Sequence, residues 1–120
     1  MAVRAALTEN VQRQVYRVTW SGLLNGDTGT PEAPARFDRI TAQVKGTFGA
    51  GGSVNIEGSM DGGTTWAVLN DTRGESNALT FTAADIRRAN ESPLLIRPNV
   101  TAGDGTTTLV VILTLAVGPK

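Results

Sequence analysis

Apolar and polar residues alternate along most of this chain. Over residues 13–21, Tyr16, Val18 and Trp20 fall on one side and Arg17 and Thr19 on the other. That is the period-2 signature of a half-buried strand. Over 37–48, Ile40, Ala42, Val44, Gly46 and Phe48 oppose Thr41, Gln43, Lys45 and Thr47. Over 53–60, Val54, Ile56, Gly58 and Met60 point inward, with Asn55, Glu57 and Ser59 outward. Residues 65–70 form a return strand, and Leu79 and Phe81 mark a short one. Residues 94–100 read as a strand interrupted by Pro98. Its missing N–H predicts a place at a sheet edge. Residues 107–117 are apolar on both faces, with Leu109, Val111, Leu113, Leu115 and Val117 in one row and Val110 and Ile112 in the other. Such a strand is central and covered on both sides, or it lies at a subunit interface.

Turn chemistry separates these strands. The Gly-Ala-Gly-Gly run at 49–52 and the Ala-Gly-Asp-Gly-Thr run at 102–106 predict hairpin loops, and 61–64 and 71–77 are further turns. One helical turn is expected at 82–91. Thr82-Ala-Ala-Asp85 has capping-box spacing, and Pro93 forbids continuation. In residues 1–12, Val3, Leu7 and Val11 lie on a helical stripe, which reads as an arm or a short helix. Residues 22–35 are punctuated by Gly and Pro and read as a long loop. The fold class is therefore all-β: a single-domain, jelly-roll-like β-sandwich over 13–120 with one short helix, preceded by an arm at 1–12. No internal repeat is present, which excludes a propeller or solenoid.

Composition narrows the chemistry. The chain has 120 residues, enough for one domain with a real core. Eleven basic residues balance 11 acidic ones, so no basic excess exists to hold nucleic acid. There is no His and no Cys. This removes His- or Cys-built zinc sites, iron–sulfur clusters, disulfides, Cys nucleophiles and imidazole bases. No apolar run approaches the 20 or so residues of a membrane span. The first ten residues lack the apolar core of a secretory signal. No enzyme activity, cofactor, metal, nucleic acid or membrane partner is expected.

The remaining motifs read mainly as structure. Ser59-Met-Asp-Gly-Gly-Thr-Thr-Trp66 fits the Asp-box pattern Ser-x-Asp-x-Gly-x-Thr-Trp. Asp61 is placed to accept from the amides that follow it, Gly62 and Gly63 supply positive φ, and Trp66 packs over the hairpin. Asp61, Asp71, Glu75 and Asp104 lie in turns, without calcium-loop spacing. Glu57 is the one carboxylate within a predicted strand, on its outer face, without a second to pair with for glycoside hydrolysis. Tyr16, Trp20 and Trp66 suit a core better than a sugar platform. Arg87 and Arg88 read as a solvated helix face. The sequons at Asn70, Asn90 and Asn99 are read as chance.

Three stretches carry a resemblance. Gly52-Ser-Val-Asn-Ile-Glu-Gly-Ser-Met-Asp-Gly-Gly-Thr-Thr-Trp66, Leu79-Thr-Phe-Thr-Ala-Ala-Asp-Ile86 and Ile96-Arg-Pro-Asn-Val-Thr-Ala-Gly-Asp-Gly-Thr106, with the final Val/Leu strand, resemble small β-sandwich proteins of tailed-bacteriophage structural gene clusters. The resemblance covers 51–113. It implies a virion protein on the capsid surface: a cement, or decoration, protein that clamps the major capsid protein, often as a homotrimer. A carbohydrate-binding or tail- or neck-associated adhesion module is the alternative. The arm at 1–12 and the loop at 22–35 are then the expected attachment segments, because the sandwich does not need them.

Overall fold

Strands alone form the regular structure of the described residues, which are 2–34, 37–72 and 77–117 of a computed structural model. In chain order they are β1 (Val3–Arg4), β2 (Ala6–Gln12), β3 (Val15–Leu23), β4 (Thr28–Gly29), β5 (Arg39–Thr47), β6 (Ser53–Ser59), β7 (Ala67–Val68), β8 (Thr80–Phe81), β9 (Asp85–Arg88), β10 (Leu95–Ala102) and β11 (Thr108–Ala116). One sheet runs β1-β4-β10-β6-β7, with β8 also on β6; the other runs β2-β3-β11-β5-β9. The alternation in each strand supplies one inner face. Val18, Trp20, Ala42, Val44, Val111 and Leu113 come from the five-stranded sheet, and Val54, Ile56, Phe81, Ile96 and Val100 from the other. Together they make one β-sandwich core. As expected, β11 is central, between β3 and β5. Leu109, Val111, Leu113 and Leu115 are buried, while Val110 and Ile112 on its other face are half-buried.

Several expectations are corrected. The short helix at 82–91 does not form: residues 82–84 bend and β9 follows, paired with β5. Tertiary contacts outweigh the capping-box signal. Arg87 points inward, where its guanidinium bonds Asp71 at 2.8 Å and the carbonyls of Thr80 and Ala78 at 2.6 and 2.8 Å. A ten-residue helix stopped by Pro93 has no comparable gain against its nucleation cost. Residues 3–12, read within an arm or short helix, instead form β1 and β2. Nor is 22–35 a free loop, because β4 lies inside it and Asp27 is buried there. Asp27 accepts from the amides of Ala2 and Leu24 and from Arg4 Nε, at 3.0, 2.9 and 2.8 Å. Burial pushes this carboxyl up, but the three donors together hold it below its ordinary value. Met60 is 68% exposed, not inward. Of the expected turn at 71–77, residues 73–76 lie outside the described residues.

Pro98 does not mark an edge strand, since β10 lies between β4 and β6. It faces Ile56 of β6, whose amide and carbonyl are engaged by Leu79 and Leu69 on the far side. The missing N–H is therefore turned toward β4. There Ile96 pairs with Glu32 and Val100 with Asp27 and Gly26, leaving a gap opposite Pro98. Gly29 fills that gap. A Cβ on it would sit 2.6 Å from both Pro98 Cδ and Trp20 Cδ1.

The two loops read as hairpins, 49–52 and 102–106, are instead crossovers between sheets, because β5 and β6 lie in different sheets, as do β10 and β11. They are pinned to each other. Asp104 accepts from the Ala50 amide at 2.9 Å, and Thr107 Oγ1 donates to the Phe48 carbonyl at 2.7 Å. Asp104 also accepts from the Thr106 hydroxyl and amide, at 2.6 and 2.8 Å. The Thr106 hydroxyl first, then the Ala50 and Thr106 amides, hold its pKa down to about 2.

Two outcomes are expected. Gly29→Ala overpacks the Trp20–Pro98 contact and lowers stability by about 1–3 kcal/mol in urea unfolding. Asp104, with its folded pKa depressed, contributes stability that is fully present above 3.8 and lost as pH falls toward about 2. The melting temperature of the wild type therefore drops across that window. Asp104→Asn melts lower at pH 7 and shows a shallower acid dependence; an unchanged slope would remove Asp104 from the linkage.

Candidate functional site

The Asp-box segment is the hairpin joining β6 to β7. Ser59 Oγ donates to Asp61 Oδ1 at 2.8 Å and accepts from the Gly63 amide at 3.0 Å. Asp61 Oδ1 accepts from the Thr65 amide at 2.9 Å. Gly62 and Gly63 take φ of 78° and 94°, as the motif predicts. Chiefly the Thr65 amide, then the Ser59 hydroxyl, lower the Asp61 pKa to about 2. The carboxylate is thus ionised at neutral pH and holds no proton to transfer. Trp66 donates its indole N–H to the Gly63 carbonyl at 2.9 Å. The Arg97 guanidinium lies 4.1 Å from the Trp66 ring centroid, a cation–π contact. Glu57 holds Arg97 in place at 3.1 Å and accepts from Asn99 Nδ2 at 3.0 Å. Glu57 therefore has its outer-face position, but it is buried and fully engaged.

The other singled-out residues do not converge. Trp20 is buried in the core, Tyr16 packs edge-on against Phe37 with ring centroids 5.2 Å apart, and Trp66 stands on the hairpin of the opposite sheet. Asp71 is buried against Arg87 and Asn77. Glu75 lies outside the described residues. Among the described residues, no group of three or more His, Cys, Asp or Glu side chains is placed to hold a metal ion. Arg87 and Arg88 point to opposite faces of β9, with Arg87 inward and Arg88 exposed. Asn70 and Asn99 bond Glu91 and Glu57.

Exposed apolar side chains are scattered, with Val3, Leu24, Met60 and Leu94 outside the five-stranded sheet, but Leu7 and Ile86 share that sheet's outer face. Its register aligns Leu7, Thr19, Ile112, Gln43 and Ile86 in one row across all five strands. Leu7 and Ile86, at the two ends, are each 60% exposed, and Ile112 is half-buried between them. Val110 extends the apolar surface one row along, beside Lys45. The second apolar row of β11 signalled this face in the sequence. Leu7 and Ile86 carry no such signal, because the spacing of Val3, Leu7 and Val11 also fits a helical stripe and Thr82–Asp85 carries a helix-start pattern.

No protein-family model and no curated protein matches the chain. Its fold is shared with the crystal structure of the SPBc2 prophage-derived protein YomS. The TM-score is 0.64 at 9% identity, over 89% of this chain and 98% of that one. At that identity the likeness is one of fold.

The Asp-box hydrogen bonds assign the motif to stability. Trp66→Ala is expected to cost about 2 kcal/mol, below the roughly 3–5 of a fully buried Trp, because the residue is only half-buried. Asp61→Ala lowers the melting temperature without changing the far-UV circular dichroism. A variant that keeps its melting temperature yet loses partner binding would make the hairpin a binding site.

Proposed function

We propose that this protein is a non-enzymatic structural component of a tailed-phage virion. In this reading it is a capsid cement protein that sits on the capsid surface and clamps the major capsid protein as a homotrimer. The observation that carries the reading is the row Leu7–Thr19–Ile112–Gln43–Ile86 on the outer face of the five-stranded sheet, whose apolar end residues are each 60% exposed. Two further points support it. The carboxylates of the Asp-box hairpin, the crossovers and the buried pairs are committed to structure. The fold is also that of a prophage-derived protein.

Attachment moves accordingly from the expected arm and loop to the sheet face. With 11 basic and 11 acidic residues, long-range attraction to a charged shell is weak. Contact then depends on apolar burial and local complementarity. Three copies engaging together multiply a modest single-site affinity by about 10²–10⁴. An adhesion module remains the second reading, supported by a depression of about 310 Å³ beside Trp66, Met60 and Thr65.

The test mixes purified protein with undecorated capsids of the cognate phage and measures occupancy by sedimentation. Wild-type occupancy is expected to hold between about 50 and 200 mM salt. Ile86→Glu, which leaves the core untouched, is expected to abolish it. Full occupancy by Ile86→Glu would dismiss the sheet face as the docking site. Failure of the wild type to bind, together with glycan binding that Trp66→Ala removes, would favour the adhesion module.

A further inference from the structure

The five-stranded sheet ends in two edges of different character. Hydrogen-bonded and non-hydrogen-bonded pairs alternate along an antiparallel ladder. The Ala89 amide donates to the Ile40 carbonyl at 2.8 Å, so even-numbered residues of β5 bond toward β9 and odd-numbered ones toward β11. The alternation carries across Thr41–Thr114, Leu113–Val18 and Arg17–Glu9. It turns the backbone groups of Leu7 and Glu9 toward β3. Those of Ala6, Thr8 and Asn10 face outward, and among the described residues no backbone bond reaches them. The opposite edge is closed: the Thr72 amide donates to the Arg88 carbonyl at 3.1 Å, and the Asn90 amide to the Asn70 carbonyl at 2.8 Å.

Natural sheets protect such an edge with Pro, Lys, short strands or bulges. β2 has seven residues, without Pro or Lys, and its bulge falls only after Asn10; its charge, Glu9, is paired with Arg17, and the Thr8 hydroxyl donates to Glu32 at 3.0 Å. Leu7 and Val11, 60% and 40% exposed, stand beside the open groups. An edge of this kind is completed by another strand. A head-to-tail ring through this sheet would need a second open edge, and β9 is capped at Arg88 and Asn90, with the Ile86 amide turned to the Asp85 carboxylate. The remaining arrangement in which the sheet completes itself is isologous, with the same strand on both sides of a two-fold axis.

We infer that β2 pairs with β2 of a second copy of this chain, antiparallel about a two-fold axis at Thr8, joining two five-stranded sheets into one of ten strands. Charge and bonding select this register. Centred on Thr8, the outward groups of Ala6, Thr8 and Asn10 all find partners in Asn10, Thr8 and Ala6 of the second copy, and Leu7 lies opposite Glu9. Centred on Glu9, two carboxylates would face each other, which destabilises a pair. Centred on Leu7, Asn10 would meet Arg4, which has already left for the other sheet with β1. The contact is separate from the three-fold association proposed above and does not depend on a capsid.

Because the chain contains no Cys, a single introduced thiol reports only on contacts between copies. In this register the two Thr8 Cα atoms are about 5.5 Å apart, inside the range of roughly 4.4–6.8 Å that a disulfide spans. Under mild oxidation Thr8→Cys is expected to form a covalent dimer at least about tenfold faster than Ala83→Cys, an exposed control, because association raises the effective concentration. In sedimentation equilibrium the wild type associates in even-numbered species. Thr8→Pro, which removes an outward N–H but none that β3 uses, halves their mass with circular dichroism unchanged. Should Thr8→Pro unfold, Leu7→Lys decides the point by placing a cation on each side of the axis, with the same halving expected. Equal oxidation rates for the two Cys variants, association untouched by the folded edge variants, or a wild type that shows no even-numbered species would each overturn the pairing.

Discussion

Trp20 is the side chain on which the two sheets close. It stands on β3 of the five-stranded sheet, is fully buried, and donates its indole N–H at 3.0 Å to the Thr30 carbonyl, just past β4 of the other sheet. An indole buries roughly 150–250 Å², which at about 25 cal/mol per Å² is an upper value of some 4–6 kcal/mol. That gain needs room, and Gly29 supplies it by lacking a Cβ between the ring and Pro98. Pro98 in turn needs a place where no amide is required, and the β4 side of β10 provides one. The three residues are thus mutually dependent across sequence distances that no local pattern connects.

The polar groups follow the same economy. Arg87 with Asp71 and Arg97 with Glu57 are largely buried pairs whose remaining valences are met by Asn77, Asn99 and backbone carbonyls. Breaking one partner of such a pair strands a buried charge, so these pairs specify geometry more than they add net stability. Asp104 ties the two crossovers at one end of the sandwich, and Asp27, through Arg4, ties β1 to the segment before β4. The hydrogen bonds that Asp27 and Asp104 accept hold both carboxyls below their ordinary values.

Strands with long alternation were legible in the sequence: β3, β5, β6 and β11 appear where period 2 places them, and the Asp box forms the hairpin its residues dictate. What failed had physical reasons. Val3, Leu7 and Val11 are spaced by four, and a spacing of four satisfies a helical stripe and one face of a strand alike. Thr82 and Asp85 carry a helix-start signal, but Arg87 finds buried partners that only the folded sheet assembles. Gly-rich loops between alternating strands do not reveal whether the strands pair or change sheets. For 49–52 and 102–106 that choice is made by Asp104 and Thr107, each more than fifty residues from its partner in the other loop. Both apolar ends of the outer-face row lie on the two strands that local pattern missed, which is why the face emerged only with the register.

That face and the open edge share β2, and this places a constraint on how the surface works. Leu7 belongs to the apolar row and also flanks the unpaired amides of Ala6 and Thr8. In the register centred on Thr8 the row continues from Leu7 into Glu9 and Arg17 of the second copy, so edge pairing would border the apolar positions with an ion pair instead of lengthening them. With no net charge to steer encounters, both proposed contacts would form by collision and be held by short-range fit. Their strength is then set by how long they last rather than how often they form. Low intrinsic affinity at each contact is compatible with stable occupancy only where several copies bind together. On the proposed reading, the surface of this protein works through several copies bound together.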